Sequence, residues 1–125
     1  MSARLVPVQG VARRVGWLLL AANGRPVAGS SRTYRDEDAL DRAVRELLIG
    51  RNSLNFTVAR DEAHTWWWTA FLPARSTAAA AEPVARSGRG YLRRDQCDDG
   101  TATFVATLNQ LRAGQPPRTD LMNVR

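Results

Sequence analysis

The sequence contains no lysine, one histidine and one cysteine, and the scarcity of histidine and cysteine excludes two classes of site. A single cysteine, Cys97, cannot form an internal disulfide. Together with the lone His64 it cannot supply the four nitrogen and sulfur ligands of a structural zinc site. The glycine-containing segment 87–90 lacks the spacing of a P-loop or of a dinucleotide-binding loop. We therefore expect no metal, no cofactor and no catalytic residue, and the sequence predicts that the protein is not an enzyme.

Long apolar runs are also missing. The longest runs, at residues 17–22 and around residues 66–68, fall far short of the roughly 20 apolar residues that span a membrane. The first ten residues lack the charged and apolar regions of a signal peptide. We expect a cytoplasmic protein with no membrane partner.

The charge is strongly basic, because all eighteen basic residues are arginine and the formal net charge is +6. Residues 1–60 hold ten arginines and five acids, whereas residues 61–125 hold eight arginines and seven acids. Arginine binds phosphate and carboxylate through two parallel hydrogen bonds. A GC-rich genome, which encodes arginine in place of lysine, explains the same composition without a binding role.

The clearest pattern is an internal repeat. Residues 26–34 read PVAGSSRTY and residues 83–91 read PVARSGRGY, identical at six of nine positions. A strand-like run with a tryptophan precedes each copy, and a helical pattern follows each one. Two copies favour a pseudo-two-fold assembly, since a solenoid needs three or more.

Periodicity and turn residues predict the elements. The Asn23-Gly24 pair marks a hairpin, Asp36 is a good helix N-cap and Gly50 a good helix end. A second helix is expected to end at Gly114, although its threonine-rich residues 101–108 also suit a strand. The predicted strands are residues 4–8, 15–22, 26–31, 54–59, 65–72 and 83–87, with a last one at 119–124.

These features resemble the YegP-like family of small proteins. The resemblance rests on the Ala22-Asn23-Gly24 turn, on Val27, Ser30 and Tyr34 after it, and on the amphipathic helix that follows. The second copy, with Val84, Ser87 and Tyr91, lacks the Asn-Gly turn.

The resemblance implies an α+β fold of tandem β-β-β-α-β repeats, at residues 1–53 and 54–125, that exchange their last strands. They would form a pseudo-two-fold single antiparallel sheet with two helices packed on one face. It implies no activity.

The repeated Ser-x-Arg-x-Tyr motif supplies four candidate binding residues: Arg32, Tyr34, Arg89 and Tyr91. Strand alternation places each arginine on the same face as its tyrosine. Two arginines and two tyrosines related by a pseudo-dyad could flank an anion. Alternatively, the serine and tyrosine only shape the junction between strand and helix, while the arginine reaches solvent.

Three consecutive tryptophans supply two more candidates. Alternation places Trp66 and Trp68 on one face of a strand, and Trp67 and Phe71 on the other. With helices on one side of the sheet, one of these sets is exposed unless the C-terminal tail covers it. An exposed set next to arginines suits a protein interface or single-stranded nucleic acid.

The sequence therefore predicts a protein of unknown biochemical function that acts as a non-enzymatic binding or interaction module. Its partner is unknown, and another protein is the first candidate. A basic nucleic-acid-binding protein is the alternative. Fusion of two units in one chain predicts a monomer. Cys97 aligns with the core residue Leu40, so we expect it to be buried and slow to react.

Overall fold

Short turns divide the chain into strands that return on one another. The structure is a computed structural model that describes residues 2–73 and 82–114. Its regular elements are β1 (Arg4–Gln9), β2 (Val15–Leu20), β3 (Pro26–Ser30), α1 (Glu37–Ile49), β4 (Asn55–Arg60), β5 (Trp66–Phe71), β6 (Pro83–Ser87) and α2 (Arg94–Gly114).

The six strands form one antiparallel sheet in the order β1-β2-β3-β6-β5-β4. The order therefore runs β1-β2-β3 from one edge and β4-β5-β6 from the other. At the centre β3 lies against β6, where Ala28 is opposite Ser87 and Ser30 is opposite Ala85. The predicted α+β class, with a single antiparallel sheet and two helices, is confirmed.

The strand that follows α1, β4, lies at the far edge of the sheet beside β5. β4 pairs along its whole length with β5, from Asn55 opposite Phe71 to Arg60 opposite Trp66, because residues 61–65 form a tight hairpin. At the other edge β1 occupies the equivalent position beside β2. The described residues thus run as three strands and a helix, twice. The predicted strand at 119–124 lies outside them.

Local sequence signals explain the ends of the elements. Gly24 has φ +84° in the β2–β3 hairpin, a conformation that suits glycine. The Asp36 carboxylate accepts a hydrogen bond from the Ala39 N–H at 2.8 Å and caps α1, which Gly50 ends. The threonine-rich stretch is helical, with Phe104, Leu108 and Leu111 buried in the core. Its threonine hydroxyls donate to backbone carbonyls three or four residues earlier, as from Thr107 to Thr103 at 2.7 Å.

One hydrophobic core joins a single face of the sheet to both helices. The strands contribute Leu5, Trp17, Leu19, Ala28, Trp68, Ala70 and Ala85, and the helices contribute Leu40, Val44, Leu47, Cys97, Phe104, Leu108 and Leu111. Phe104 packs on Trp68 with ring centroids 4.9 Å apart, and Phe56 meets the same indole edge-on at 5.6 Å. The opposite face of the sheet has no helix on it among the described residues, and we call it the open face.

Candidate functional site

The Ser-x-Arg-x-Tyr motif of the first half joins β3 to the hairpin beside it. The Trp17 N–H donates to Ser30 Oγ at 3.1 Å. Beyond the end of β3, Tyr34 and Val15 exchange two backbone hydrogen bonds, of 2.7 and 2.8 Å. The serine and the tyrosine backbone therefore hold the strand-to-helix junction in place.

The second half contains the same contacts. The Trp68 N–H donates to Ser87 Oγ at 3.3 Å, and Tyr91 exchanges backbone hydrogen bonds of 2.8 and 2.9 Å with Trp66. These bonds occupy the serine and the tyrosine backbone in both copies. What remains for binding is the arginine side chain and the phenol ring.

Each arginine stacks on the tyrosine of its own copy. The guanidinium carbon lies 5.7 Å from the ring centroid for Arg32 and Tyr34, and 5.0 Å for Arg89 and Tyr91. The two pairs differ in their charge balance. Arg32 forms a 2.5 Å ion pair with Glu82, whereas no carboxylate among the described residues lies within ion-pair distance of Arg89.

The environment of the first tyrosine is also distinct. Burial raises the pKa of Tyr34 above its ordinary value, the positive charge of Arg32 lowers it, and the carboxylates of Glu46 and Glu82 raise it again. Tyr34 is therefore a neutral phenol at physiological pH.

The structure does not bring the two Arg–Tyr pairs around a shared anion. Gly29 is opposite Arg86 at the centre of the β3–β6 pair, and the strands are antiparallel. Arg32 and Arg89 each lie three residues beyond that point, in opposite directions. At about 3.3 Å per residue their backbones are roughly 20 Å apart. Of the two interpretations of the motif, this separation favours the one in which the serine and tyrosine shape the junction between strand and helix.

A cleft opens beside the second pair. It has a volume of about 380 Å³, and its lining consists of Pro26, Val27, Arg89, Tyr91, Gln96, Asp99, Gly100 and Thr103. Sequence reasoning missed the contribution of α2, although Gln96, Asp99 and Thr103 have the spacing of one helix face. Sequence reasoning also missed Pro26 and Val27 of β3, because these residues are distant from α2 in the sequence.

Gly100 allows the Tyr91 phenol to pack closely against α2 at the inner end of this cleft. A Cβ atom at this position would lie 2.5 Å from Tyr91 Oη and 3.2 Å from Trp68 Nε1. The phenol hydroxyl and the indole N–H therefore approach the same point. Trp68 is fully buried, and its Nε1 has no hydrogen-bond acceptor among the described residues.

The open face carries the other two candidates. Trp67 and Phe71 lie on it, opposite to the buried Trp68 and Ala70, as alternation predicts, and 38% of Trp67 is exposed. Trp67 is held in one orientation, because its Nε1 donates to Asp61 Oδ2 at 2.8 Å. Hydrogen bonds from the Thr65 N–H and from the Trp67 indole, in that order, lower the pKa of Asp61.

An arginine cluster at the edge of the helical layer was not predicted. The guanidinium carbons of Arg60 and Arg94 lie 5.7 and 5.6 Å from the ring centroid of Trp66. The sequence does not indicate this contact, because Arg60, Arg94 and Trp66 come from three separate elements, β4, the start of α2 and β5. Two cations at one aromatic ring form a positive patch with an aromatic centre.

The residues that could have supported catalysis do not come together. His64 is exposed at a turn with φ +62°, whereas Cys97 is fully buried, and burial raises the pKa of its thiol. Across residues 2–73 and 82–114, no three His, Cys, Asp or Glu side chains are grouped so that they could hold a metal ion. In the same ranges, no helix is long and apolar enough to cross a membrane.

The fold defines a class of small α+β proteins with a six-stranded antiparallel sheet covered on one side by two helices. Two solved structures share it. The chain is similar to the UPF0339 protein SO3888 from Shewanella oneidensis, with a TM-score of 0.66 and 14% identity over 86% of each chain. It is also similar to yegP from E. coli, described as a protein of unknown function, with a TM-score of 0.60, 15% identity, and coverage of 86% of this chain and 87% of that one.

The likeness confirms the expected YegP-like resemblance at the level of the fold. No family model matches the chain, and no curated protein sequence does. The biochemical function is therefore unknown, and it has to be inferred from this chain's own surfaces.

Proposed function

We propose that the protein is a non-enzymatic binding module whose open sheet face binds an acidic, partly apolar surface of another protein. The observation that carries this proposal is the charge of the strands. Across all six strands there is no aspartate or glutamate, while three arginines are present. Two of these, Arg4 and Arg86, alternate onto the open face.

The side chains around these arginines suit a protein partner. In the central cross-strand row, Val6 is opposite Leu18 and Thr69 is opposite Arg86. Trp67 and Phe71 flank this row. Aromatic and arginine side chains are enriched in the parts of interfaces that contribute most to affinity. A largely apolar face whose strands carry two arginines and no carboxylate favours a partner that combines apolar groups with carboxylates.

The same proposal includes a tandem origin for the sheet. We interpret residues 1–53 and 54–125 as two copies of one unit, related by a pseudo-two-fold axis between β3 and β6. Two contacts that occur in both halves support this interpretation. They are the hydrogen bond from a tryptophan N–H to a serine Oγ and the backbone bridge made by the tyrosine. A chain that contains both units can complete the sheet as a monomer, in the cytoplasm, with the open face free for a different protein.

Site-specific photo-crosslinking tests the open face. A benzoylphenylalanine at Thr69 of the full-length protein, irradiated in an extract of its native host, should crosslink one protein through a peptide rich in acidic and apolar residues. Trp67→Ala and Arg86→Glu should abolish the crosslink. Arg42→Glu, the same charge change on the exposed side of α1, should leave it intact.

As a second control, benzoylphenylalanine is placed at Arg42 in place of Thr69. The result contradicts the proposal if this crosslinker captures the same proteins. It also contradicts the proposal if the Thr69 crosslink joins the chain to its own C-terminal tail, because the face is then covered from within.

Single-stranded nucleic acid is the second candidate, favoured by the two arginines around Trp66. Fluorescence anisotropy with single-stranded DNA and RNA distinguishes it from the first. Nucleic-acid binding should weaken as salt rises, because counterions are released, and Arg60→Ala should reduce the slope of log affinity against log salt by about one. Salt-independent or absent binding removes this candidate.

A further inference from the structure

The cleft beside α2 contains two unpaired charges of opposite sign. Arg89 and Asp99 both line it, and neither side chain forms an ion pair with a described residue. The equivalent arginine of the first half, Arg32, is neutralised by Glu82. The position that matches Glu82 by the repeat spacing is Arg25, so the second copy has no acid there.

We propose that this cleft binds a small zwitterion, a molecule that carries a carboxylate and a primary ammonium group. The guanidinium of Arg89 is oriented by its stacking on Tyr91, and it presents N–H groups that bind a carboxylate in parallel. The carboxylate of Asp99 receives the ammonium group. A ligand with only one of these charges leaves the other protein charge unpaired in the cleft.

The size and floor of the cleft fit such a ligand. A volume of about 380 Å³ is at the lower end of the range for small-molecule sites. Pro26 and Val27 form an apolar wall from β3, against which a short methylene chain can pack. Gln96 and Thr103 add an amide and a hydroxyl on the α2 side.

The inner end of the cleft is closed by the Tyr91 phenol. A Cβ atom at Gly100 would lie 2.5 Å from Tyr91 Oη, so the ring already fills the space beside this glycine. Trp68 is fully buried and is not part of the cleft lining. A ligand is therefore held by the side chains of Arg89 and Asp99 and not by the Trp68 N–H.

Two-dimensional ¹⁵N NMR of the full-length protein tests the proposal. The probes are glycine, β-alanine, 4-aminobutyrate and 5-aminopentanoate, which vary the separation of the two charges, with butyrate and butylamine as single-charge controls. We expect saturable shifts at the amides of residues 89–91 and 96–103. The best zwitterion should bind about tenfold or more tightly than either single-charge control.

Variants locate the site. Arg89→Ala and Asp99→Asn should each weaken binding of that zwitterion by about tenfold or more. Arg32→Ala is the matched control from the first half and should have no effect. Because all three side chains are on the surface, retained chemical-shift dispersion checks the fold. Trp67→Ala should also leave binding of the zwitterion unchanged, because Trp67 lies on the open face and not in the cleft. Failure of the open-face proposal and failure of the cleft proposal are therefore distinguishable.

Three outcomes overturn the inference. No saturable shift up to roughly 50 mM of any zwitterion shows that the cleft binds none of this class. Equal binding of butyrate or butylamine shows that one charge suffices. An equal loss of affinity in Arg32→Ala and Arg89→Ala shows that the shifts report general charge and not this cleft.

Discussion

The substitution Gly100→Ala separates local helix preference from tertiary packing. Alanine stabilises a helix interior by about 1 kcal/mol over glycine, so a local argument predicts a more stable protein. The structure predicts the opposite, because the new methyl carbon would lie 2.5 Å from Tyr91 Oη and 2.9 Å from its Cζ. Real contacts of this kind are longer, so the ring has to move.

The ring cannot retreat with its backbone, since two hydrogen bonds tie Tyr91 to Trp66. It must rotate away from its preferred side-chain angle and lose its stacking with Arg89. Extra methyl groups in packed sites cost about 1–3 kcal/mol, which exceeds the gain in helix preference. We expect a net loss of about 1 kcal/mol in the free energy of unfolding.

Urea denaturation followed by tryptophan fluorescence measures this change. The matched control is Ala43→Gly, at the corresponding position of α1, which should lose about 1 kcal/mol from helix preference alone. Tyr91→Phe removes the closest contact, so the penalty of Gly100→Ala should shrink in that background. A Gly100→Ala protein that gains about 1 kcal/mol would refute the packing argument.

Other predictions concern the core and the ionisable groups. Phe104→Ala should reduce the free energy of unfolding by about 3–5 kcal/mol, measured by the same urea titration, because this ring is fully buried against Trp68; a loss below about 1 kcal/mol would contradict its place in the core. Cys97 should react with a thiol reagent far more slowly in native buffer than in denaturant, and equal rates would contradict its burial. The lowered pKa of Asp61 means that its bonds stabilise the fold above the ordinary carboxyl pKa of about 3.9 and that this stabilisation is lost as the pH falls through the folded-state pKa. In Asp61→Asn, the free energy of unfolding should therefore decrease less steeply as the pH falls below about 4. The same slope in the variant and in the parent protein would contradict that role. The raised pKa of Tyr34 acts in the other direction, so stability should fall as the pH rises above about 10, less steeply in Tyr34→Phe.

Local signals predicted much of the fold. The Asn23-Gly24 turn, the Asp36 cap and the two helical faces depend on residues close in sequence, and the structure confirms each. Alternation correctly separated Trp67 from Trp68. These features follow from backbone geometry that a few neighbouring residues determine.

Long-range contacts could not be predicted in the same way. Even the local β4–β5 hairpin has one feature that no sequence signal marked, the positive φ of the non-glycine residue His64. The cleft joins Pro26 to α2 across about 70 residues of chain. The separation of Arg32 from Arg89 follows from the register of β3 and β6, which the repeat alone leaves open.

Light scattering of the full-length protein at micromolar concentration most directly tests the central claim that one chain completes the sheet and leaves its open face for another protein. The account predicts the mass of one chain, 13.8 kDa. A stable species of twice that mass, which Trp67→Arg returns to one chain, would contradict it. That result would show that the open face joins two copies of this protein.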